Sequence, residues 1–292
     1  MYPPPFEYLC PDDLESALEL LQEHGDEAKV LAGGQSLIPM MKLRLAGPRF
    51  LIDINHVAEL QGFDVRDDAV LFGALCRYAE IEASSKVAEK LPILKDAAAV
   101  TADVQVRNRG TIGGSLVHSD PAGDWAPPLL VLDARATVRG PNGERSMPVE
   151  KLFQDAYTPD LSPNELLIRI SVPLKNPATT GAYLKFEKRA GDFATASVGA
   201  QLRLDDEGRC QDVRVALGAL AATAVRARET ETILTGRQPT QALIAKAAKA
   251  IQGAIDPFED IRGSVAYKRH LAEVVFEQAL QRALARGQSL TL

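Results

Sequence analysis

The sequence predicts an α+β fold, and three observations carry that prediction. Short apolar runs of strand length alternate with helical periods in the N-terminal part, two strand pairs turn at charged or Asn-Gly segments, and beyond residue 178 three strands precede three helices. With 46% hydrophobic and 25% charged residues the chain can bury a sizeable core, which excludes general disorder. Its 292 residues suggest about two domains.

Taken in order, Leu14, Ala17, Leu18 and Leu21 share one face of a helix over residues 12–25, opened by a capping-box-like Asp12/Glu15 pair and closed at Gly25. Residues 28–32 form a strand that ends in Gly33-Gly34-Gln35-Ser36, a helix runs on to residue 45, and residues 51–54 complete a small β-α-β unit. A hairpin pairs residues 62–65 with 70–73. Helical segments fill 79–102, interrupted at Pro92. Residues 106–124, rich in Gly, Thr, Ser and Asp, follow neither period and read as a functional loop. A buried helix is expected at 124–133. A hairpin of 136–139 with 145–149 follows around Pro141-Asn142-Gly143, and then a strand at 166–172.

Lys175-Asn176-Pro177 marks the expected domain boundary, separating residues 1–177 (subdomains about 1–57 and 58–177) from 178–292. The second domain should hold three antiparallel strands, 182–187, 195–204 and 212–220, with the turn Asp205-Asp206-Glu207-Gly208 joining the last two. Helices at 227–234, 241–251 and 264–286 end the chain.

Charge and composition exclude several functions. With 33 basic against 39 acidic residues, a net charge of −6 and no basic stripe, nucleic acid is not an expected partner. No stretch approaches the ~20 apolar residues of a membrane span, and Met1-Tyr2-Pro3-Pro4-Pro5 lacks a signal-peptide pattern, so a cytoplasmic location is expected. Cys10, Cys76 and Cys210 lie far apart, and the four histidines (His24, His56, His118, His270) show no ligand spacing. No metal site is expected on this chain.

Three segments carry chemistry. In the first, running from Lys29 to Leu37, a double glycine between strand and helix lets the backbone approach a ligand, and the helix start offers N–H groups suited to a phosphate. Taken alone it is equally a simple β-α turn. In the second, Gly110-Thr111-Ile112-Gly113-Gly114-Ser115 combines another Gly-Gly pair with hydroxyls, followed by His118, Asp120 and Asp124. Two such cradles suit a diphosphate, whose oxygens need donors from several directions. His118 and Asp120 read either as catalytic or, more simply, as a loop-fixing hydrogen-bonded pair. In the third, Lys185-Phe186-Glu187 leads into Gly191-Asp192-Phe193, which could place a carboxylate and a flat ring beside a ligand or be a solvated strand end.

Together with Tyr267-Lys268-Arg269-His270-Leu271, these motifs in this order resemble the FAD-binding medium subunits of the molybdenum hydroxylases, such as those of carbon monoxide dehydrogenase and xanthine dehydrogenase. The resemblance spans essentially the whole chain. It implies the two-subdomain FAD-binding fold of vanillyl-alcohol-oxidase-like flavoproteins, followed by the sheet-and-helix domain. It also implies roles: Ala32, Gly33, Gly34, Gln35 and Ser36 with Thr111–Ser115 on the diphosphate, Lys29 near the flavin, and Asp124 on a hydroxyl of the cofactor chain. Leu161, Leu167 and Ile168 would wall the adenine, Lys185, Asp192 and Phe193 would approach the isoalloxazine, and Thr101 and Ala102 would line its other side. The sequence departs from many relatives at Ser115 (Asn), Gln35 (His) and Phe193 (Tyr or Trp).

By this resemblance the chain is an electron-relay subunit with no acid–base catalyst of its own. Electrons would reach its FAD from [2Fe–2S] clusters of a small subunit, having left a substrate at a molybdenum-pterin centre in a large subunit, and pass to NAD, O2 or a quinone. A dimer of heterotrimers is implied. The alternatives are a free-standing FAD-dependent oxidase or reductase of the same fold, and a flavin-free assembly or nucleotide-sensing protein.

Overall fold

The structure, a computed structural model, describes residues 2–174 and 179–290. The expected boundary at Lys175-Asn176-Pro177 lies outside the described residues. The architecture is α+β, with three principal sheets that each cover a core of their own.

The first sheet is parallel, ordered β1-β3-β2, from β1 (Glu7–Leu9), β2 (Ala28–Leu31) and β3 (Phe50–Asp53). Between these strands run α1 (Leu14–His24) and α2 (Leu37–Lys42). Helix α1 buries Leu14, Ala17 and Leu21 against Ile52 and Ile54, as its apolar spacing predicts. Its cap differs from expectation. Asp13, not Asp12, accepts the Ser16 N–H at 2.8 Å, and Glu15 reaches across to Arg139 at 2.9 Å instead of closing a capping box.

The second sheet is antiparallel, ordered β4-β5-β10-β6-β7, from β4 (Phe63–Val65), β5 (Ala69–Gly73), β6 (Arg135–Gly140), β7 (Gly143–Pro148) and β10 (Leu166–Pro173). Six helices lie between β5 and β6: α3 (Tyr78–Ala83), α4 (Ser85–Lys90), α5 (Pro92–Val100), α6 (Val104–Arg109), α7 (Ile112–His118) and α8 (Ala126–Val131). Pro92 starts α5 at its first turn, where the missing N–H costs nothing. A short helix, α9 (Val149–Leu152), and a small ribbon of β8 (Phe153–Asp155) with β9 (Thr158–Pro159) complete the unit.

A bulge in β10 joins the first two cores. Its pairing with β6 skips a residue between Leu167 and Arg169, which reverses the alternation of faces. Leu166 and Ile168 therefore pack on the first core, whereas Leu167, Ile170 and Val172 pack on the second.

The third sheet is ordered β11-β12-β13-β14, from β11 (Thr180–Phe186), β12 (Ala196–Leu204), β13 (Cys210–Gly218) and β14 (Val225–Arg226). The three long strands are the expected ones, and the two-residue β14 adds a fourth. Helices α10 (Arg228–Leu234), α11 (Gln241–Ala250) and α12 (Val265–Leu290) follow, with Phe276, Ala279 and Leu280 of α12 buried against this sheet's core.

Residues 106–124 are not the loop that composition suggested. Most belong to α6 and α7, capped by Asp103, which accepts the Val106 N–H at 2.9 Å, and by Thr111, which accepts the Gly114 N–H at 3.1 Å. Helices of six and seven residues span fewer than two turns or barely two, too short to register a period.

Candidate functional site

The two glycine segments meet at the seam between the first two sheets. A Cβ on Gly33 would stand 2.3 Å from the Arg109 carbonyl oxygen and 2.9 Å from the Gly110 Cα, so only glycine permits this backbone contact. Gly110 lies against the Tyr78 ring and Gly113 against the Ala74 backbone. These three glycines bring protein backbone onto protein backbone or ring, a purpose separate from ligand approach. Gly34 adopts φ +74°.

The segments differ in what they offer an anion. In the second, Ile112 N–H donates to Cys76 O at 3.0 Å, Gly113 N–H to Ala74 O at 3.0 Å, Gly114 N–H to Thr111 Oγ1 and Ser115 N–H to Thr111 O at 3.0 Å. The N–H groups from Ile112 to Ser115 are thus engaged by the Thr111 cap and by the Ala74 and Cys76 carbonyls that follow β5. The Thr111 and Ser115 hydroxyls remain, with Ser115 beside the Tyr78 phenol. In the first segment the N–H groups of Gly33, Gly34, Gln35 and Ser36 meet no acceptor among the described residues. Four successive N–H donors without an acceptor could hold an anion. Leu37 opens α2 beside it, Ala32 carries the Cβ nearest to Gly114, and Lys29 is exposed on the edge strand β2.

Two residues that the motifs passed over tie the segments together. Asn55 Nδ2 donates to Ala32 O at 2.9 Å, and Arg77 donates both to Asn55 Oδ1 and to the Arg109 carbonyl. The only signal in the sequence was a polar pair, Asp53 and Asn55, at the end of an apolar strand.

The third segment folds against the end of α5. Gly191, at φ +87°, packs on Ala102, itself left-handed at φ +47°, while Thr101 is buried and donates its hydroxyl to Ala97 O at 2.7 Å. Lys185 fastens the arrangement. Its Nζ donates to Val100 O at 2.6 Å and Asp192 O at 3.0 Å, and it pairs with Asp124 at 3.2 Å and Glu187 at 2.9 Å, its side chain being 1% exposed. Both Asp124 oxygens are engaged, the other accepting the Tyr183 hydroxyl at 2.7 Å. Burial pushes the Asp124 carboxyl above the ordinary range, with the Lys185 ammonium opposing. Lys185 and Asp124 thus satisfy each other inside the protein, where an unpaired charge would be costly.

Asp192 and Phe193 do reach solvent. With Lys188, Gly191, Thr195, Ile261 and Arg262 they line a cavity of about 370 Å³, and the Arg262 guanidinium stands 5.8 Å from the Phe193 ring centre. Ile261 and Arg262 precede α12, in a stretch without a motif. Helix α7, about 10 Å long at 1.5 Å per residue, leads from the cradle to His118, whose ring lies 5.3 Å from that of Tyr157. Asp120 does not hydrogen-bond His118 among the described residues; it holds its turn by accepting the Ala122 N–H at 2.9 Å.

The side chains of Leu161, Leu167 and Ile168 do not share one face. The bulge sends Leu167 and Ile168 to different cores, 2% and 5% exposed, and leaves Leu161 half-buried at the edge of the second.

Comparison with known proteins agrees with this architecture. Residues 4–175 match the family described as the FAD binding domain in molybdopterin dehydrogenase, and residues 181–283 match the CO dehydrogenase flavoprotein C-terminal domain. The chain is 38% identical over 288 residues to the 6-hydroxypseudooxynicotine dehydrogenase complex subunit alpha of Paenarthrobacter nicotinovorans, covering 99% of this chain and 97% of that protein. It is 39% identical over 286 residues to the carbon monoxide dehydrogenase medium chain of Hydrogenophaga pseudoflava, covering 98% and 99%. A solved structure of carbon monoxide dehydrogenase from Hydrogenophaga pseudoflava superposes with a TM-score of 0.95 at 40% identity, covering 98% of this chain and 99% of that one.

Proposed function

This chain belongs to the FAD-binding medium subunits of the molybdenum hydroxylases, an oxidoreductase family, and from that premise we propose that it relays electrons from a partner's [2Fe–2S] clusters to an external acceptor. The observation that carries the reading is the row of unpaired N–H groups from Gly33 to Ser36 at the seam of two subdomains. Those donors fit a diphosphate, to which the Thr111 and Ser115 hydroxyls of the second glycine segment would add.

The chemistry supplied by bound FAD is the conversion between one-electron and two-electron transfer. The chain's own residues bind and orient. Gly33 to Ser36 would hold the diphosphate with Lys29 and Leu37 beside it, and Asp192 and Phe193 would approach the flavin ring. Lys185, through Asp192 O and Val100 O, keeps the Phe193 segment against Thr101 and Ala102. Phe193 would offer the ring an apolar face without a polar tip.

In this reading the molybdenum-pterin centre and the clusters belong to large and small partner subunits, in a dimer of heterotrimers in the cytoplasm, and the acceptor is NAD, O2 or a quinone. Among the described residues no helix is long and apolar enough to cross a membrane, and no group of three or more metal-ligating side chains is present. The test is co-purification followed by flavin and iron analysis of the assembled complex. One FAD per chain, with iron on a partner, is expected. A chain that takes up no FAD on reconstitution, or a homo-oligomer turning over substrate alone, overturns the proposal.

A further inference from the structure

We infer that Asn55 is a positioning residue for the diphosphate cradle: it turns the Gly33 N–H toward the anion by holding the carbonyl on the other side of the same peptide. The inference rests on the diphosphate of FAD lying at this loop. In a trans peptide the C=O of one residue and the N–H of the next point in opposite directions. Asn55 Nδ2 holds Ala32 O at 2.9 Å, so the Gly33 N–H faces away from Asn55. Gln35 Nε2 holds Gly33 O at 3.1 Å and directs the Gly34 N–H likewise, and Ile38 N–H holds Gly34 O at 3.1 Å and directs that of Gln35. Three carbonyls are thus held, and in each peptide the unpaired N–H faces away from the holder.

The three holders differ in kind. Ile38 acts through the backbone of α2, and Gln35 is exposed. Asn55 is half-buried and itself secured: its N–H donates to Asp53 Oδ1 at 2.9 Å, its carbonyl accepts from Gln61 Nε2 at 2.9 Å, and the second Asp53 oxygen accepts the Tyr8 hydroxyl at 2.6 Å. Its Oδ1 accepts from Arg77, which also holds the Arg109 carbonyl beside Gly110. One amide therefore sets the donor of the first subdomain and its registration on the second. The task needs a donor toward Ala32 and an acceptor toward Arg77 on one short side chain, which a carboxylate or a hydrocarbon lacks.

The test uses the full 292-residue chain, with FAD affinity measured by flavin fluorescence and backbone amide spectra recorded with inorganic pyrophosphate. In the natural chain, pyrophosphate should shift the Gly33, Gly34 and Gln35 amides. Asn55→Leu should weaken FAD binding at least tenfold and abolish the Gly33 shift, while the Gln35 shift, governed by α2, persists. Asn55→Ser, whose hydroxyl is too short to span both partners, should do the same and serves if the leucine variant does not fold. A natural chain that neither binds FAD nor responds to pyrophosphate refutes the cradle itself. A natural chain that does both, beside a serine variant within twofold in affinity and with the Gly33 shift intact, overturns the role of Asn55 alone.

Discussion

Replacing Lys185 by Met should destabilise the protein by removing the cation at the centre of a buried cluster. The ammonium has two carbonyl and two carboxylate partners and is 1% exposed. Its loss leaves Asp124, 7% exposed, with the Tyr183 hydroxyl as its remaining donor among the described residues. Removing one member of a buried pair costs about 3–5 kcal/mol. At an unfolding entropy of ~2.1 cal/mol/K per residue, a chain of this length melting as one unit loses about 5–8 °C in Tm.

The deficit should depend on pH. Burial raises the Asp124 carboxyl and Lys185 restrains it. A carboxyl whose folded pKa lies above its unfolded value contributes fully at low pH, and the contribution is lost as pH rises through the folded pKa. Without Lys185 that folded value climbs further, so the variant should fall further behind the natural chain at pH 8 than at pH 5. Lys185→Met combined with Asp124→Asn, which neutralises the orphan, should recover at least half of the loss. Scanning calorimetry at both pH values checks this. A single variant melting within 1 °C of the natural chain, or a double variant no better than the single, refutes the reasoning.

Thr111→Val removes the hydroxyl that accepts the Gly114 N–H and should cost about 1 kcal/mol in urea unfolding; an unchanged midpoint would show the cap to be idle. Gly33→Ala drives a Cβ into the Arg109 carbonyl and should cost ~1–3 kcal/mol while lowering flavin per chain. Gly208→Ala, with nothing within 4 Å of the added carbon, should leave flavin content unaltered, and equal flavin loss in both would dissociate the seam from binding. Burial holds the His118 imidazole below its ordinary 6.5 against the pull of Asp120. Its stabilising contribution is complete above pH 6.5 and declines as pH falls through that value toward the folded pKa. An NMR titration midpoint at or above 6.5 would contradict this.

Long periodic elements were legible in the residues themselves. The Leu14, Ala17 and Leu21 face and the β11 to β13 meander follow from local spacing, and both are present. Strand β1 was not legible, because three residues become a strand only when β3 pairs with them. Nor were α6 and α7, whose stability comes from side-chain caps and from docking rather than from an apolar face. At the site, the glycines announced close approach but not what was approached. Gly33 meets Arg109, which lies 76 residues further along the chain (109 − 33), and no local pattern encodes that. The pairing of Lys185 with Asp124, 61 residues apart, was not legible for the same reason: a charged motif looks alike whether it faces a ligand or its own counter-ion.

By itself the sequence determined the α+β class, the two glycine segments and the family, since these depend on residue type, order and short-range spacing. Only the tertiary structure decided which segment keeps its donors free. A backbone N–H is available or spent according to acceptors that arrive from elsewhere: Ala74 and Cys76 consume those at the start of α7, while Asn55 turns that of Gly33 outward. Hydrogen-bond capacity is local, but its satisfaction is a property of the folded whole.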